Sequence, residues 1–128
     1  MQTTPKTAQA ERRTHRSDDV MTALHYQLAF ARHEGGIEAL VLTDATGCLV
    51  AGAGAWPTCE MLAAYAPLLA TPHAKVDEDL VDRASVEIRK LMIDGSEVLL
   101  CARGGGAART SSMARAASGC RRILGGEA

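Results

Sequence analysis

The cysteines are the residues of this chain whose type best suits metal or redox chemistry, so their spacing matters. There are four of them: Cys48, Cys59, Cys101 and Cys120. No two form a Cys-x-x-Cys pair, and no Cys and His residues stand at zinc-site spacing. Cys48 and Cys101 fall within predicted strands, where a thiol more often packs than reacts. We therefore expect reduced, packed cysteines and no metal site.

Two glycine-rich stretches have the composition of a phosphate-binding loop. The run Arg103-Gly-Gly-Gly-Ala-Ala-Arg109 follows a predicted strand and precedes a helix, so its backbone N–H groups could surround an anion. It lacks the Lys and the glycine spacing of the nucleotide-binding signatures, and Gly52-Ala-Gly54 lacks the Lys that follows in a P-loop. The run at 103–109 is expected to be a turn, and anion binding by residues 104–106 stays open.

The other polar residues show no catalytic arrangement. Ser111 and Ser112 lie on the first turns of a predicted helix, without the G-x-S-x-G frame of a hydrolase. The acidic residues at 18–19 and 77–79 are contiguous in sequence, which is typical of solvated carboxylates rather than of a pair facing across a cleft. The sequence thus predicts no catalytic residue, no metal and no cofactor.

Composition indicates one cytoplasmic domain. The chain has 128 residues, a formal net charge of −1 and 47% hydrophobic residues, mostly Ala, Leu and Val. So small a charge gives no general attraction to nucleic acid or to a membrane, and the basic final helix has no aromatic residues among its arginines. The N-terminus lacks the apolar run of a secretory signal, and no segment has the ~20 apolar residues of a spanning helix.

The N-terminal region predicts a tail followed by a helix. Residues 1–16 are polar and without periodicity, which predicts a disordered tail in front of a single domain over 17–125. Ser17, followed by two Asp residues, predicts a helix start. The helix carries an apolar stripe and ends at Gly35-Gly36.

A strand, a turn and a second strand come next. Residues 37–43 are almost wholly apolar, which is typical of a strand covered on both faces. Asp44-Ala45-Thr46-Gly47 predicts a reversal into a return strand over 48–53. Within that strand, Gly52 predicts a bulge or a close approach by another segment.

The second helix is the best candidate for a binding surface. It opens at Trp56-Pro57-Thr58, and Pro67 is expected to bend or fray its last turn. Its large apolar residues cover more than one face: Met61, Leu62, Tyr65 and Leu69. This pattern predicts either contact with a second copy of the chain or a helix packed on both sides within the monomer.

The rest of the chain predicts a connector, a hairpin and a closing helix. Residues 73–83 have no clear pattern and are expected to form a solvated connector. Residues 85–93 alternate as a strand whose phase changes near Lys90, which predicts a β-bulge or a twist. Asp94-Gly95 predicts a two-residue turn into the last strand. The order α-β-β-α-connector-β-β-α predicts an α+β fold in which helices sandwich an antiparallel sheet.

The element order and the stretch ALVLTDATGCLVAGAGAWPTCEMLAAYAPLLA resemble the Roadblock/LC7 family over about residues 18–124. The resemblance rests on a strand ending at Thr43-Asp44, a turn closed by Gly47 and the Leu49-Val50-Ala51 return strand. The Ala/Leu-rich second helix, the MIDGSEVLLCARGG hairpin and the closing GCRRIL segment add to it. The family has five strands, and none is evident here between Pro72 and Ser85.

The resemblance implies a non-enzymatic homodimer of profilin-like topology. Sheets of the two copies would join edge to edge, and their second helices would lie side by side. Bacterial family members bind Ras-like small GTPases as activators or scaffolds. On this chain, the implied dimer or partner surface is the set named above: Met61, Leu62, Tyr65 and Leu69.

Two other hypotheses stay open. A small-ligand-sensing domain of the PAS or GAF type shares the central antiparallel sheet but needs an internal pocket. Small strand residues such as Ala39, Ala51 and Gly52 could leave one, or they could seat a helix. A thiol or metal enzyme would instead need a cysteine of low pKa or a bound zinc ion.

Overall fold

The computed structural model describes residues 5–72, 74–76 and 81–125, with side chains from Asp18 onward. Its elements are α1 (Pro5–Gly35), β1 (Ala39–Asp44), β2 (Leu49–Ala53), α2 (Trp56–Leu69), a 3₁₀ turn (Arg83–Ser85), β3 (Val86–Ile93), β4 (Ser96–Arg103) and α3 (Arg109–Leu124). The predicted α+β class and the order α-β-β-α-β-β-α are confirmed.

The four strands form one antiparallel sheet in the order β2-β1-β4-β3. Strand β1 lies inside the sheet, and its residues from Ala39 to Thr43 are all buried, as its unbroken apolar run predicts. The pairing of β1 with β2 shifts register between Leu42 and Thr43. Strands β2 and β3 form the two edges.

Helices cover both faces of the sheet, and each face has its own apolar cluster. Helices α1 and α3 enclose a cluster that includes Leu28, Leu42 and Met113. Helix α2 encloses a second cluster on the opposite face, with Val41 and Leu62 at its centre. Because successive strand side chains point to opposite faces, the neighbours Val41 and Leu42 belong to different clusters.

Helix α1 is longer than the sequence pattern predicts. It begins at Pro5, so the predicted start at Ser17 is wrong, and residues 5–16 are helical where a disordered tail is predicted. These residues contain no Gly and are rich in Ala, Gln, Glu, Lys and Arg, which have high helix propensity, and Pro is favoured in a first turn. Residues 1–4 lie outside the described residues.

Strand β3 changes its covered face without a bulge. Every residue of β3 pairs in unbroken register with β4, so of the bulge or twist predicted near Lys90, the bulge is absent. Val86 and Ile88 pack against the cluster beneath α2, whereas Leu91 and Ile93 pack against the cluster beneath α1 and α3. The change of phase therefore follows from which helix layer covers each part of the strand.

The described part of the connector is irregular. Residues 74–76 contain neither helix nor strand, and the guanidinium of Arg83 donates to the carbonyl of Ala74 over 2.6 Å. The carboxylate of Asp82 caps the 3₁₀ turn by accepting from the N–H of Ala84 at 3.0 Å. The acidic triplet predicted at 77–79 lies outside the described residues.

Candidate protein-interaction site

Helix α2 is apolar on the side that faces away from the sheet. Its only charged residue is Glu60. Its inner side buries Cys59, Leu62, Ala63, Ala66 and Leu69 against the sheet. Besides Glu60, four residues of the helix are exposed, and all four are apolar: Trp56 (54% exposed), Pro57, Ala64 and Leu68 (44% exposed). We call Trp56, Pro57, Glu60, Met61, Ala64, Tyr65 and Leu68 the α2 outer face.

The structure separates the four residues that the sequence assigns to this surface. Leu62 is 0% exposed and Leu69 is 8% exposed, so both belong to the monomer's core and can support a partner surface only from below. Met61 and Tyr65 are half-buried and belong to the α2 outer face. The helix is therefore packed on one side and open on the other.

The predicted site residues omit five residues of this face: Trp56, Pro57, Glu60, Ala64 and Leu68. The signal was present in the spacing. Once Cys59, Leu62 and Ala66 are taken as the inner stripe at i, i+3 and i+7, positions such as 64 and 68 must point outward. In an almost wholly apolar helix, however, the sequence does not tell which stripe meets the sheet.

Pro67 lies inside α2 without ending it. The helix continues to Leu69, and the N–H of Ala70 donates to the carbonyl of Ala66 at 2.9 Å. The last turn is therefore formed and not frayed. Because Pro has no N–H, the carbonyl of Ala63 loses its helical partner. Gly47, at φ +94°, lies so close that a Cβ there would stand 2.9 Å from that carbonyl oxygen and 3.2 Å from the Pro67 ring. The β1–β2 turn thus packs directly on this part of α2.

The turn that meets α2 is built on the side chain of Asp44. Its Oδ1 accepts from the N–H of Thr46 (2.9 Å), the hydroxyl of Thr46 (2.7 Å) and the N–H of Cys48 (2.9 Å). These hydrogen bonds, with that of the Thr46 hydroxyl the strongest, lower the pKa of Asp44 below its ordinary value of 3.8. The predicted reversal is confirmed, and it fixes where Gly47 stands against the helix.

Three of the four cysteines are buried, and none forms a disulfide. Burial raises the pKa of Cys101 to about 12 and that of Cys120 to about 11, and it also raises the pKa of Cys59. Such thiols stay protonated, which is the opposite of what a nucleophile requires. Cys48 differs from the packed cysteine that the sequence predicts, because β2 begins only at Leu49 and leaves this side chain exposed on the turn.

The glycine run at 104–106 is a turn held by its own neighbours. The N–H of Gly104 donates to the carbonyl of Ser85 at 2.7 Å. Arg109 donates to the carbonyls of Ser85 (3.1 Å) and Gly104 (3.3 Å), and its guanidinium pairs with Glu87 at 3.2 Å. The arginine that could have met an anion at this loop is thus engaged with β3.

The remaining candidates for chemistry are dispersed. Ser112 is buried, and the hydroxyl of Ser111 donates to the carbonyl of Ala108 at 3.1 Å. Within residues 5–72, 74–76 and 81–125, no three His, Cys, Asp or Glu side chains are grouped as metal ligands would be. Among the helices of that same part of the chain, none combines the length and apolar content of a membrane crossing.

No protein-family model, curated protein or solved structure matches the chain. The class is accordingly defined by the architecture alone. Over the residues that the structure describes, it is an α+β protein with a four-stranded antiparallel sheet, two helices on one face and a single, outwardly apolar helix on the other.

Proposed function

We propose that this chain is a non-enzymatic, Roadblock/LC7-like module that pairs with a second copy through α2 and regulates or scaffolds a Ras-like small GTPase in the cytoplasm. The observation that carries the proposal is the α2 outer face. It presents Trp56, Ala64 and Leu68 to solvent with Glu60 as its only charge. Contiguous exposed apolar surface of this kind typically marks a protein-binding site.

The arrangement of the helices supports the proposal, although the sheet has four strands among the described residues where the family has five. A single second helix covers one face of the sheet, and the first and last helices cover the other. This leaves the outer side of α2 open to another molecule.

The shape of α2 favours a second copy as the first partner. The helix has 14 residues, so it is about 21 Å long, and Ala64 lies near its middle. A small residue at that place lets another helix approach to the 8–10 Å axial distance typical of packed helices. A two-fold pair would use the same patch on both copies, so Leu68 and Trp56 would be covered at once.

Solution mass tests this pairing. We expect light scattering over a concentration series to give twice the mass of 13.5 kDa, and Ala64→Glu to reduce it to that of a monomer. The matched control is Ala29→Glu, another exposed helical alanine, which lies on α1 away from the α2 outer face. A monomer at all concentrations for the unaltered chain would overturn the pairing.

Nucleotide-dependent retention tests the GTPase. The immobilised protein is expected to retain a Ras-like GTPase from cell extract in the presence of a non-hydrolysable GTP analogue, and less of it with GDP. Tyr65→Ala should reduce this retention, whereas Tyr26→Ala, which changes an exposed tyrosine of α1, should not. Retention that ignores the nucleotide would count against regulation of a GTPase.

The small-ligand-sensing alternative rests on three small strand residues that could leave a pocket, and in the structure these residues pack against helices. Ala39 lies in the cluster beneath α2, and a Cβ on Gly52 would stand 3.2 Å from the sulfur of Cys59 in that helix. Ala51 lies in the cluster beneath α1 and α3. These contacts favour helix packing over a pocket at these three positions.

A further inference from the structure

A second open surface lies on the other side of the sheet, between α1 and α3. The two helices run antiparallel, since Gly35 at the end of α1 faces Ser112 in the first turns of α3, and Gln27 faces Gly119 further along. A shallow, open groove of about 510 Å³ lies between their outer sides. We call it the α1–α3 groove.

The groove has an aromatic wall, a cationic wall and a floor of small residues. Phe30 of α1 is 58% exposed and forms the first wall. Arg115 and Arg122 of α3 form the second. The floor consists of Ala114, Ser118 and Gly119, and the Gln27 carboxamide lies over Gly119. The small side chains of Ala114 and Ser118 leave room for the backbone of a third helix to approach.

The charge of the groove has one sign. Helix α3 contains four arginines and no acidic residue, and Arg109 is already paired with Glu87. Arg115 and Arg122 are exposed, and neither makes an ion pair within the described part of the chain. Among the described residues that line the groove, none carries a carboxylate. Both guanidinium groups are thus available to an anionic ligand.

The spacing of the two arginines matches a helical ligand. They stand seven positions apart, which places them on the same side of α3 and about 10 Å apart along its axis. A ligand helix lying along the groove repeats this distance between its own positions i and i+7. Carboxylates there meet the arginines, and apolar residues at i+3 and i+4, on the same side, meet Phe30.

We propose that the α1–α3 groove binds an acidic amphipathic helix of a partner protein. The recognition joins two charge-assisted pairs at Arg115 and Arg122 to one aromatic contact at Phe30. This site lies on the face of the sheet opposite the α2 outer face, so it does not depend on pairing or on a GTPase. It would allow the chain to hold one partner on each face.

A synthetic helical peptide tests the proposal. The probe is an alanine-rich, fluorescein-labelled peptide with two Glu seven positions apart and two Leu midway between them. This pattern is symmetrical, so both directions of the helix present the same groups. The control peptide carries Gln in place of both Glu. Fluorescence anisotropy with the full chain should show saturable binding of the acidic peptide and about tenfold weaker binding of the control.

Matched variants of the protein locate the site. Arg122→Glu should weaken binding of the acidic peptide about tenfold or more, whereas Arg121→Glu, the same change one position earlier and outside the groove, should leave it within about threefold. Phe30→Ala should likewise weaken binding about tenfold, and Tyr26→Ala, on an exposed tyrosine that does not line the groove, should not. Circular dichroism checks that each variant is folded.

Three results would overturn the proposal. The first is the absence of saturable peptide binding by the folded, unaltered chain. The second is an equal loss of peptide binding in Arg121→Glu and Arg122→Glu, which would indicate general charge attraction. The third is binding of phosphatidylserine vesicles that requires Arg115 and Arg122 while the peptide does not bind, which would make the groove a membrane contact.

Discussion

The carboxylate of Asp44 organises the turn on which α2 rests, because one oxygen accepts three hydrogen bonds. These bonds lower its pKa below 3.8, so the ionised form stabilises the folded state. That contribution to stability is present at pH values above the pKa of Asp44 in the unfolded chain. It is lost as the pH falls through the lower pKa of Asp44 in the folded state.

We therefore expect Asp44→Asn to lower the melting temperature at pH 7, and the difference from the unaltered chain to shrink as the pH falls below 3.8. Thermal unfolding followed by circular dichroism at a series of pH values measures it. A difference that stays constant down to pH 2 would show that the charge of Asp44 does not contribute.

The cysteines should divide into one accessible thiol and three protected ones. Cys48 is exposed, whereas burial raises the pKa of Cys101 to about 12 and that of Cys120 to about 11. We expect a disulfide reagent at pH 8 to modify one thiol in the native protein and four in urea. Cys48→Ser should abolish the native reaction. Rapid reaction of any remaining thiol in the folded Cys48→Ser variant would contradict the burial of the other three cysteines.

Helix α2 has two sides with different roles, and two leucines distinguish them. Leu62→Ala should cost about 2–5 kcal/mol in the free energy of unfolding, because it opens a cavity beneath the helix. Leu68→Ala removes the same atoms from the exposed side and should cost less than about 1 kcal/mol in dilute solution. Urea unfolding at low protein concentration measures both. Equal costs would contradict this orientation of the helix.

The elements were predictable wherever the signal is local. Asp94-Gly95 and the Asp44–Gly47 reversal are fixed by turn chemistry, and both were recognised. Two features that the sequence did not predict are the unbroken register of β3 and the open side of α2, and both depend on residues distant in sequence. The phase change near Lys90 reflects which helix covers each part of β3, and the open side of α2 depends on where the sheet lies. The early start of α1 was missed because helix propensity without an apolar stripe gives a weak pattern.

The pairing proposed through α2 predicts that the stability of the protein depends on its concentration. If α2 pairs with a second copy, dissociation accompanies unfolding, and the melting temperature rises with protein concentration. We expect this rise for the unaltered chain and for Ala29→Glu, and its loss in Ala64→Glu. Differential scanning calorimetry over a hundredfold concentration range provides the measurement. A constant melting temperature for the unaltered chain would indicate a folded monomer.

The placement of Val41 and Leu42 in different clusters has a consequence for how this protein can change over generations. Substitutions in the layer beneath α2 contact one set of alternating strand residues. Substitutions beneath α1 and α3 contact the other set. Where the substituted side chains of the two layers lie far apart and share no contacts, their effects on stability are usually additive. Selection could therefore alter one surface to suit a new partner while the opposite surface keeps its own.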